Sequence, residues 1–357
     1  MVQPRSLEIG LTMNPALSTV LESVFARQAR PEKYCHDAVA AIMEGQCDDI
    51  STAAFLTALK VDGESIQDIV GAARAMIERA ERVPTTRNGL LDTCGTGGDE
   101  LRTFNISTVT AFVAAACGIP VAKHGNRSVS SSSGSADVLE ALGVRTNLTP
   151  AQVGRCIDEL GIGFCFAPVF HGAMRHAAPV RKALRFRTLF NLLGPLTNPA
   201  NAEFQLLGAS RIATAEKLAH AAALLGRQRA LVVCGNDELD EISLWGETTV
   251  FEGSATTGVR RLTWTADSFG LPECDVTSLK VSSPAESAAR IRGILAGETG
   301  PSRDIVIANA AAALVASATA KSPLEAAKAA AAAIDNHSAE QLLTRFSQFT
   351  QSIADPA

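Results

Sequence analysis

Several groups of polar residues in the sequence have the types and spacing that bind phosphate. The first is the glycine-rich segment Asp92–Asp99 (DTCGTGGD), which directly follows a predicted strand. Three glycines in four positions let backbone N–H groups approach a ligand closely, because no β-carbon stands in the way. The segment has neither the Walker A pattern nor full G-x-G-x-x-G spacing. It therefore indicates either a phosphate-binding loop or a tight turn between a strand and a helix.

Further polar groups follow within 43 residues of Asp92. Asn105–Thr108 (NIST) opens a predicted helix, where hydroxyls and free N–H groups favour an anion, although an ordinary N-cap needs only one such residue. Lys123–Arg127 (KHGNR) follows the next strand, and Ser130–Ser135 leads into the next helix. A solvated serine loop is the alternative for the last run alone. Because these groups follow successive strand ends, where open α/β sheets bind ligands, we expect them to bind phosphates together.

Two charged segments lie further along the chain. His171–Arg181 (HGAMRHAAPVR) is predicted to form a helix that is interrupted at Pro179. One of its arginines could hold a carboxylate through two hydrogen bonds, whereas surface charge is the alternative for most of its members. Asp237–Glu241 (DELDE) carries four carboxylates in five positions, which repel each other unless they are solvated or bound to cations. This segment indicates either a magnesium site shared with substrate phosphates or a solvated acidic turn.

The elements that would position these residues follow from the hydrophobic periodicity. Residues 17–80 show helical periodicity without a strand signal, with Asp49 and Ser51 suited to cap one helix and Ser65 to begin another. From Leu90 onward, short apolar runs alternate with helical patterns, which favours buried parallel strands with helices on both faces of the sheet. The predicted strands are Leu90–Cys94, Ile119–Lys123, Ile162–Ala167, Gln205–Ala209 and Ala230–Cys234. Thr248–Thr265 is predicted to be rich in β-structure, and three Ala-rich helices should follow it.

Composition excludes several classes of protein. The 357 residues are 46% hydrophobic and 19% charged, which is not the composition of a disordered chain. A net charge of −5 provides no basic field for nucleic acid. No apolar run is long enough to span a membrane, and the N-terminus has no apolar leader. The eight cysteines form no C-x-x-C pair and suit a reducing compartment, so we expect a cytoplasmic protein without a membrane or nucleic-acid partner.

Taken together, the sequence resembles the anthranilate phosphoribosyltransferases, a family that shares its fold with the pyrimidine nucleoside phosphorylases. The resemblance runs from about residue 17 to the C-terminus, with motifs in matching order and spacing. These motifs are GTGGD at 95–99, TFNIST at 103–108, KHGNR at 123–127, SGSADVLEALG at 133–143, RTLFNLLGPLTNPA at 187–200 and LDEIS at 239–243. The resemblance implies transfer of the phosphoribosyl group of phosphoribosyl pyrophosphate (PRPP) to the amine of anthranilate in tryptophan biosynthesis, with release of pyrophosphate.

The resemblance also implies roles for residues at matching positions. PRPP would contact Gly95, Gly98, Asp99, Thr103, Asn105, Ile106, Ser107, Thr108, Lys123, His124, Gly125, Asn126, Arg127, Ser128, Val129, Ser130, Ser131 and Ser135. Anthranilate would contact Gly95, Asn126 and Arg181, with Arg181 on its carboxylate. Magnesium, expected as two ions per subunit, would be held by Ser107, Asp240 and Glu241. No side chain is expected to act as a clear general acid or base.

The domain organisation that the resemblance implies has two parts. Residues 1–86 would form a small all-helical domain, completed by a returning segment near 182–204, and residues 87–357 would form an α/β domain that binds PRPP. A homodimer through the helical domain is expected. Glu238 stands where the family usually has Gly, which bears on the number of metal ions. A pyrimidine nucleoside phosphorylase and a non-catalytic nucleic-acid-binding relative are the alternatives, and Asp240 and Glu241 argue against both.

Overall fold

The computed structural model describes residues 13–127 and 133–353, and its first part consists of α-helices. They are α1 (Pro15–Phe25), α2 (Glu32–Met43), α3 (Asp49–Asp62) and α4 (Ile66–Glu78). Ser65 caps α4 as predicted, in a capping box with Asp68. The predicted cap of α3 was wrong. The N-cap, which has an extended backbone, is Asp48 and not Asp49 or Ser51. Its carboxylate accepts a hydrogen bond of 2.9 Å from the Ser51 N–H.

A buried ion pair joins these helices. Arg30, between α1 and α2, lies with its Nη2 2.9 Å from Oδ2 of Asp68 in the first turn of α4, and its Nη1 is 2.7 Å from Asp62 at the end of α3. Asp68 is fully buried. Burial alone would raise the pKa of Asp68, but hydrogen bonds from Arg30 and Ser65 outweigh it and lower the pKa below its ordinary value. Arg30 therefore connects the segment between α1 and α2 with both α3 and α4.

The second part of the chain contains one seven-stranded sheet. Its strands are β1 (Leu91–Gly95), β2 (Val121–Gly125), β3 (Ile162–Phe166), β4 (Phe204–Gly208), β5 (Arg229–Gly235), β6 (Thr248–Ser254) and β7 (Gly258–Trp264). Their order is β3-β2-β1-β4-β5-β6-β7, with β1 to β5 parallel and β6 and β7 antiparallel to their neighbours. Each of the five predicted parallel strands lies within two residues of an observed one. The order changes direction at β1, which is where such sheets bind ligands.

Helices flank this sheet on both faces, which confirms the predicted α/β class. They are α5 (Ile106–Ala116), α6 (Ser135–Ala141), α7 (Pro150–Leu160), α8 (Ala167–Phe170), α9 (Ala178–Leu184), α10 (Phe190–Leu193), α11 (Ile212–Leu224), α12 (Pro284–Leu295), α13 (Pro301–Ala316), α14 (Pro323–Asp335) and α15 (Ser338–Ser352). The predicted interruption at Pro179 was wrong. Pro179 lies in the first turn of α9, where its missing N–H costs nothing, and the break falls at Ala177, after a 3₁₀ turn.

Two hydrophobic cores lie on opposite sides of the sheet. One includes residues of α5, α13 and α15, such as Phe112, Ile307 and Phe346. The other includes residues of α1–α4 and α11, and it also contains Leu189, Phe190, Leu193 and Leu196 from the segment between α9 and β4. We call residues 182–204 the returning segment. Among the residues that the structure describes, no helix combines the length and apolar character needed to cross a membrane.

Candidate active site

The glycine loop, residues 95–99, lies at the carboxyl end of β1 and contacts the acidic loop, residues 237–241, that follows β5. The Gly97 N–H donates a hydrogen bond of 2.8 Å to Oδ2 of Asp240. A β-carbon on Gly95 would overlap this carboxylate, and one on Gly208, at the end of β4, would overlap the Asp240 backbone. Glycines at two neighbouring strand ends therefore allow the acidic loop to pack directly on the glycine loop.

The N-terminus of α5 contacts the same acidic loop. Oε1 of Glu241 accepts a hydrogen bond of 3.0 Å from the Ser107 N–H. Lys123, buried at the carboxyl half of β2, donates to the Thr93 carbonyl and lies 3.2 Å from Oγ of Ser107. In this structure the N-terminus of α5 thus binds a carboxyl group of the chain itself.

Three partly exposed carboxyl groups, those of Asp99, Asp240 and Glu241, meet at this point. Burial raises the pKa of Asp99 to about 7, and repulsion from Asp240 adds to the shift. Burial also raises the pKa of Asp240 and, together with repulsion from Asp240, raises that of Glu241 well above its ordinary range. Burial lowers the pKa of Lys123 against the attraction of Asp92. A divalent cation would relieve the repulsion among these carboxyls, so their chemistry fits magnesium.

The other two carboxylates of the acidic loop are bound elsewhere. Asp237 accepts a hydrogen bond of 2.6 Å from the Ile212 N–H at the start of α11, and Glu238 accepts one of 3.2 Å from Nε1 of Trp245. Within residues 13–127 and 133–353, no three His, Cys, Asp or Glu side chains are spaced to hold a metal by themselves. The oxygens of a phosphorylated substrate would therefore have to complete the coordination of any ion bound by Asp240 and Glu241.

Two histidine rings, tilted by 53° to each other, are in contact near the carboxyl end of β2. The rings of His124 and His171 have centroids 5.1 Å apart, and Nδ1 of His124 donates to the Gly194 carbonyl at 2.9 Å. Burial lowers the pKa of His124 to about 4 and that of His171 to about 3, so both rings are neutral at pH 7. Burial of His171 was not predicted, since its segment was interpreted mainly as surface charge. No sequence signal separates it from its exposed neighbours.

Arg181, in α9, is the arginine that the sequence analysis assigns to a carboxylate. Its guanidinium lies 5.5 Å from the centre of the Phe190 ring, and burial lowers its pKa from the ordinary value. Among the described residues it forms neither an ion pair nor a side-chain hydrogen bond. A half-buried cation without a counter-ion is suited to an anionic ligand, because partial burial makes an uncompensated charge costly.

The structure holds other predicted site residues in local contacts. Arg127 forms ion pairs with Asp137 at 2.9 Å and Glu140 at 2.7 Å. Oγ of Ser135 donates to the Asn126 carbonyl at 3.3 Å, and it packs where a β-carbon of Gly125 would stand.

The remaining predicted residues divide into those near α5 and those that the structure does not describe. Asn105 accepts hydrogen bonds from Ser133 and Ser287, Ile106 and Thr108 are buried, and Thr103 forms an isolated bridge to Lys280. Ser128, Val129, Ser130 and Ser131 lie outside the described residues. The structure thus brings the glycine loop, α5, β2 and the acidic loop together, while Arg127 is occupied by α6.

A cavity of about 590 Å³ opens beside the glycine loop. Gly98 and Asp99 line one side, and Arg187 from the returning segment lines another. Lys60 of α3 and Lys217 of α11 also line it. Arg187 was quoted in the sequence analysis as part of a motif but given no role, because nothing in its local spacing shows which distant loop it reaches.

Comparisons with known proteins agree with this architecture. Residues 87–340 match the a/b domain of a glycosyl transferase family, and residues 19–80 match the helical bundle domain of a glycosyl transferase family. An anthranilate phosphoribosyltransferase from Thermomicrobium roseum is 46% identical over 344 residues, which cover 95% of this chain and 98% of that protein.

Solved structures of anthranilate phosphoribosyltransferases are also similar to this chain. The crystal structure of anthranilate phosphoribosyltransferase from Thermus thermophilus is 41% identical, with a TM-score of 0.88 over 95% of this chain and 100% of that one. The enzyme from Saccharomyces cerevisiae, solved in complex with PRPP and Mg, is 28% identical, with a TM-score of 0.87 over 96% of this chain and 99% of that one.

Proposed function

Since the chain belongs to the anthranilate phosphoribosyltransferase family, we infer that it acts as the enzyme for which the family is named. It transfers the phosphoribosyl group of PRPP to the amine of anthranilate, giving N-(5-phosphoribosyl)anthranilate and pyrophosphate, in tryptophan biosynthesis. The observation that carries this function is the meeting of the glycine loop, the N-terminus of α5 and the acidic loop at neighbouring strand ends.

We propose that PRPP binds over these elements through the residues assigned to it in the sequence analysis. The N–H groups of Gly97 and Ser107 donate to carboxyl oxygens in this structure, and phosphate oxygens of PRPP would replace those acceptors on binding. Lys123 adds a buried positive charge beside them. Donors that are already in place stabilise charge that develops on a leaving diphosphate without having to reorganise.

Magnesium is the metal of the reaction, and we propose that two ions bind per subunit. Ser107, Asp240 and Glu241 would hold them, which is supported by the convergence of the Asp99, Asp240 and Glu241 carboxyls. When bound, magnesium would neutralise negative charge on the diphosphate. The contact of Glu238 with Trp245 supports a metal loop in which this additional carboxylate stays apart from the ions.

The chemistry at anthranilate requires little from acid or base groups. Its aromatic amine is a weak base, and the nitrogen loses a proton readily once it is bonded to C1 of the ribose. We propose that Arg181 holds the anthranilate carboxylate and that Asn126 and the backbone at Gly95 contact its other groups. We expect the His124 ring, which is neutral at pH 7, to lie near this subsite without adding a charge to it. Alignment of the two substrates then supplies much of the rate enhancement.

A fluorescence assay tests this function. Anthranilate fluorescence should disappear when enzyme, PRPP and Mg²⁺ are all present and should persist when any one is omitted. Phosphorolysis of thymidine, measured in parallel, should be absent. Loss of fluorescence without PRPP, or turnover of thymidine, would contradict the proposed reaction.

We also propose the domain division and the assembly state that the sequence analysis predicts. Burial of Leu189 and Phe190 with α1–α4 supports a helical domain of residues 1–86 completed by the returning segment, with residues 87–357 as the α/β domain. Phe25, Ile50 and Val61 are 77%, 81% and 84% exposed, which supports a homodimer through α1 and α3. Eight free thiols support a cytoplasmic location.

A further inference from the structure

Arg187 joins the returning segment to the glycine loop. It lies between α9 and α10, and its Nη2 donates a hydrogen bond of 2.7 Å to the carbonyl of Thr96. Its guanidinium occupies the place that a β-carbon on Gly98 would take, and Gly98 itself has a positive φ of 81°. Only glycine at position 98 therefore permits both the loop conformation and the approach of the arginine.

The charge of Arg187 is not neutralised by an ion pair within the described residues. Burial lowers the pKa of this guanidinium, and attraction to Asp240 opposes that shift. The glycine loop has no cation of its own, whereas Arg187 places one against its backbone. Among the other cations at this cavity, Lys217 donates to the Glu64 carbonyl at 2.6 Å and Arg211 donates to the Asp237 carbonyl, whereas Lys60 is exposed on α3. A half-buried guanidinium at the edge of an anion site is stabilised when the anion binds.

We propose that Arg187 is a positioning residue for PRPP: it holds the glycine loop through Thr96 and supplies the positive charge that the loop lacks toward the diphosphate. This role rests on the proposed function, and it adds a residue from the returning segment to the PRPP site. Arg187 contacts the glycine loop and not Arg181. The proposal therefore predicts a change in PRPP binding that is separate from any change in anthranilate binding.

Replacement of Arg187 by Met, Gln and Lys tests the proposal. In R187M, the KM for PRPP and the calorimetric Kd for PRPP with Mg²⁺ should each rise by about tenfold or more, while the KM for anthranilate stays within about twofold. Lysine should recover most of the lost affinity because it restores the charge. Glutamine should recover little, since it can donate to the Thr96 carbonyl but carries no charge.

Arg185→Met is the matched control, because Arg185 is exposed two residues away and has no assigned role. It should leave both KM values unchanged. Equal rises in the two KM values for R187M, or recovery by glutamine equal to that by lysine, would overturn the proposal. If R187M does not fold, as judged by its thermal unfolding, the comparison of R187K with R187Q still decides. Absence of wild-type turnover would instead refute the proposed function.

Discussion

At the scale of single residues, acidic side chains of the chain occupy the hydrogen-bond donors that PRPP would use. Asp240 accepts from Gly97, and Glu241 accepts from Ser107. Satisfied donors keep the loop and the helix end in place without ligand, because unpaired buried N–H groups are costly. Binding of PRPP with magnesium would exchange one set of oxygens for another, and the released carboxylates would be free to bind the metal.

Loss of the Asp240 and Glu241 charges should therefore stop the reaction. We expect the double variant D240N/E241Q to lose at least about a hundredfold in kcat, because the amides keep the shape but not the charge that magnesium requires. Steady-state rates over a Mg²⁺ titration measure this effect. The matched control is Asp237→Asn, which changes a carboxylate of the same loop that is bound at α11. Unchanged turnover in the double variant would remove both residues from the site.

Truncation of Arg181 should act on the other substrate. We expect R181A to raise the KM for anthranilate by about ten- to a hundredfold, since a charge-assisted hydrogen-bonded pair is lost. The KM for PRPP should change much less. Arg175→Ala serves as the comparison because Arg175 is exposed in the same segment. Similar rises in both KM values would show that Arg181 does not hold the carboxylate.

Sequence alone predicted which loops gather at one edge of the sheet, while the ligand contacts assigned to their residues stay predictions. The motifs at strand ends predict that the glycine loop and the acidic loop meet, because parallel strands end at one edge of a sheet. The contact of Arg187 with Thr96 could not be predicted, since the returning segment has no periodicity that fixes its direction. The contact of the His171 ring with the His124 ring was missed because no pattern within residues 171–181 indicates that His171 is buried.

At the scale of elements, local capping signals predicted helix starts well where one residue fits the geometry. Thr149 is the N-cap of α7 and Pro150 its first residue, with a capping box between Thr149 and Gln152, a pattern that the sequence shows directly. Asp48, Asp49 and Ser51 lie close together, and sequence cannot decide which of them adopts the extended backbone of the cap. Pro179 is compatible both with breaking a helix and with starting one, and packing of α9 decides in favour of the start.

Stability of the helical part should depend on Asp68. D68N should lower the free energy of unfolding by up to about 3–5 kcal/mol, because it leaves the buried Arg30 with only the partly exposed Asp62 as a charged partner. The folded pKa of Asp68 is lowered, so its contribution is present above the unfolded pKa, about 3.9, and is lost as pH falls through the folded value. The difference between the urea midpoints at pH 7 and pH 3 should therefore be smaller in D68N than in the wild type.

The exposed pair of Asp335 with Arg303 provides the control for this prediction. Asp335 has a side chain 60% exposed, so D335N should cost at most about 1 kcal/mol at pH 7. An equal loss of stability in the two variants would show that the buried Arg30–Asp68 pair stabilises the protein no more than an exposed pair does.

At the scale of the whole molecule, the exposed apolar side chains of α1 and α3 contrast with the well-buried cores. V61E should convert the proposed dimer into monomers, since a carboxylate within an apolar interface is costly to desolvate. Light scattering after size-exclusion chromatography measures the mass. L324E, at a 46% exposed position of α14, should leave the mass unchanged. A monomeric wild type, or a dimeric V61E protein, would refute the assembly through this surface.

The dependence of the helical core on the returning segment has a consequence for synthesis. Helices α1–α4 leave the ribosome first. Their hydrophobic core also needs Leu189, Phe190 and Leu193, which follow α4 by on the order of a hundred residues. At 5–20 residues per second, the nascent helices wait roughly 5–20 s with this apolar face uncovered. Chaperones that bind early translation products should therefore associate with this chain before residue 190 is made, and release it afterwards.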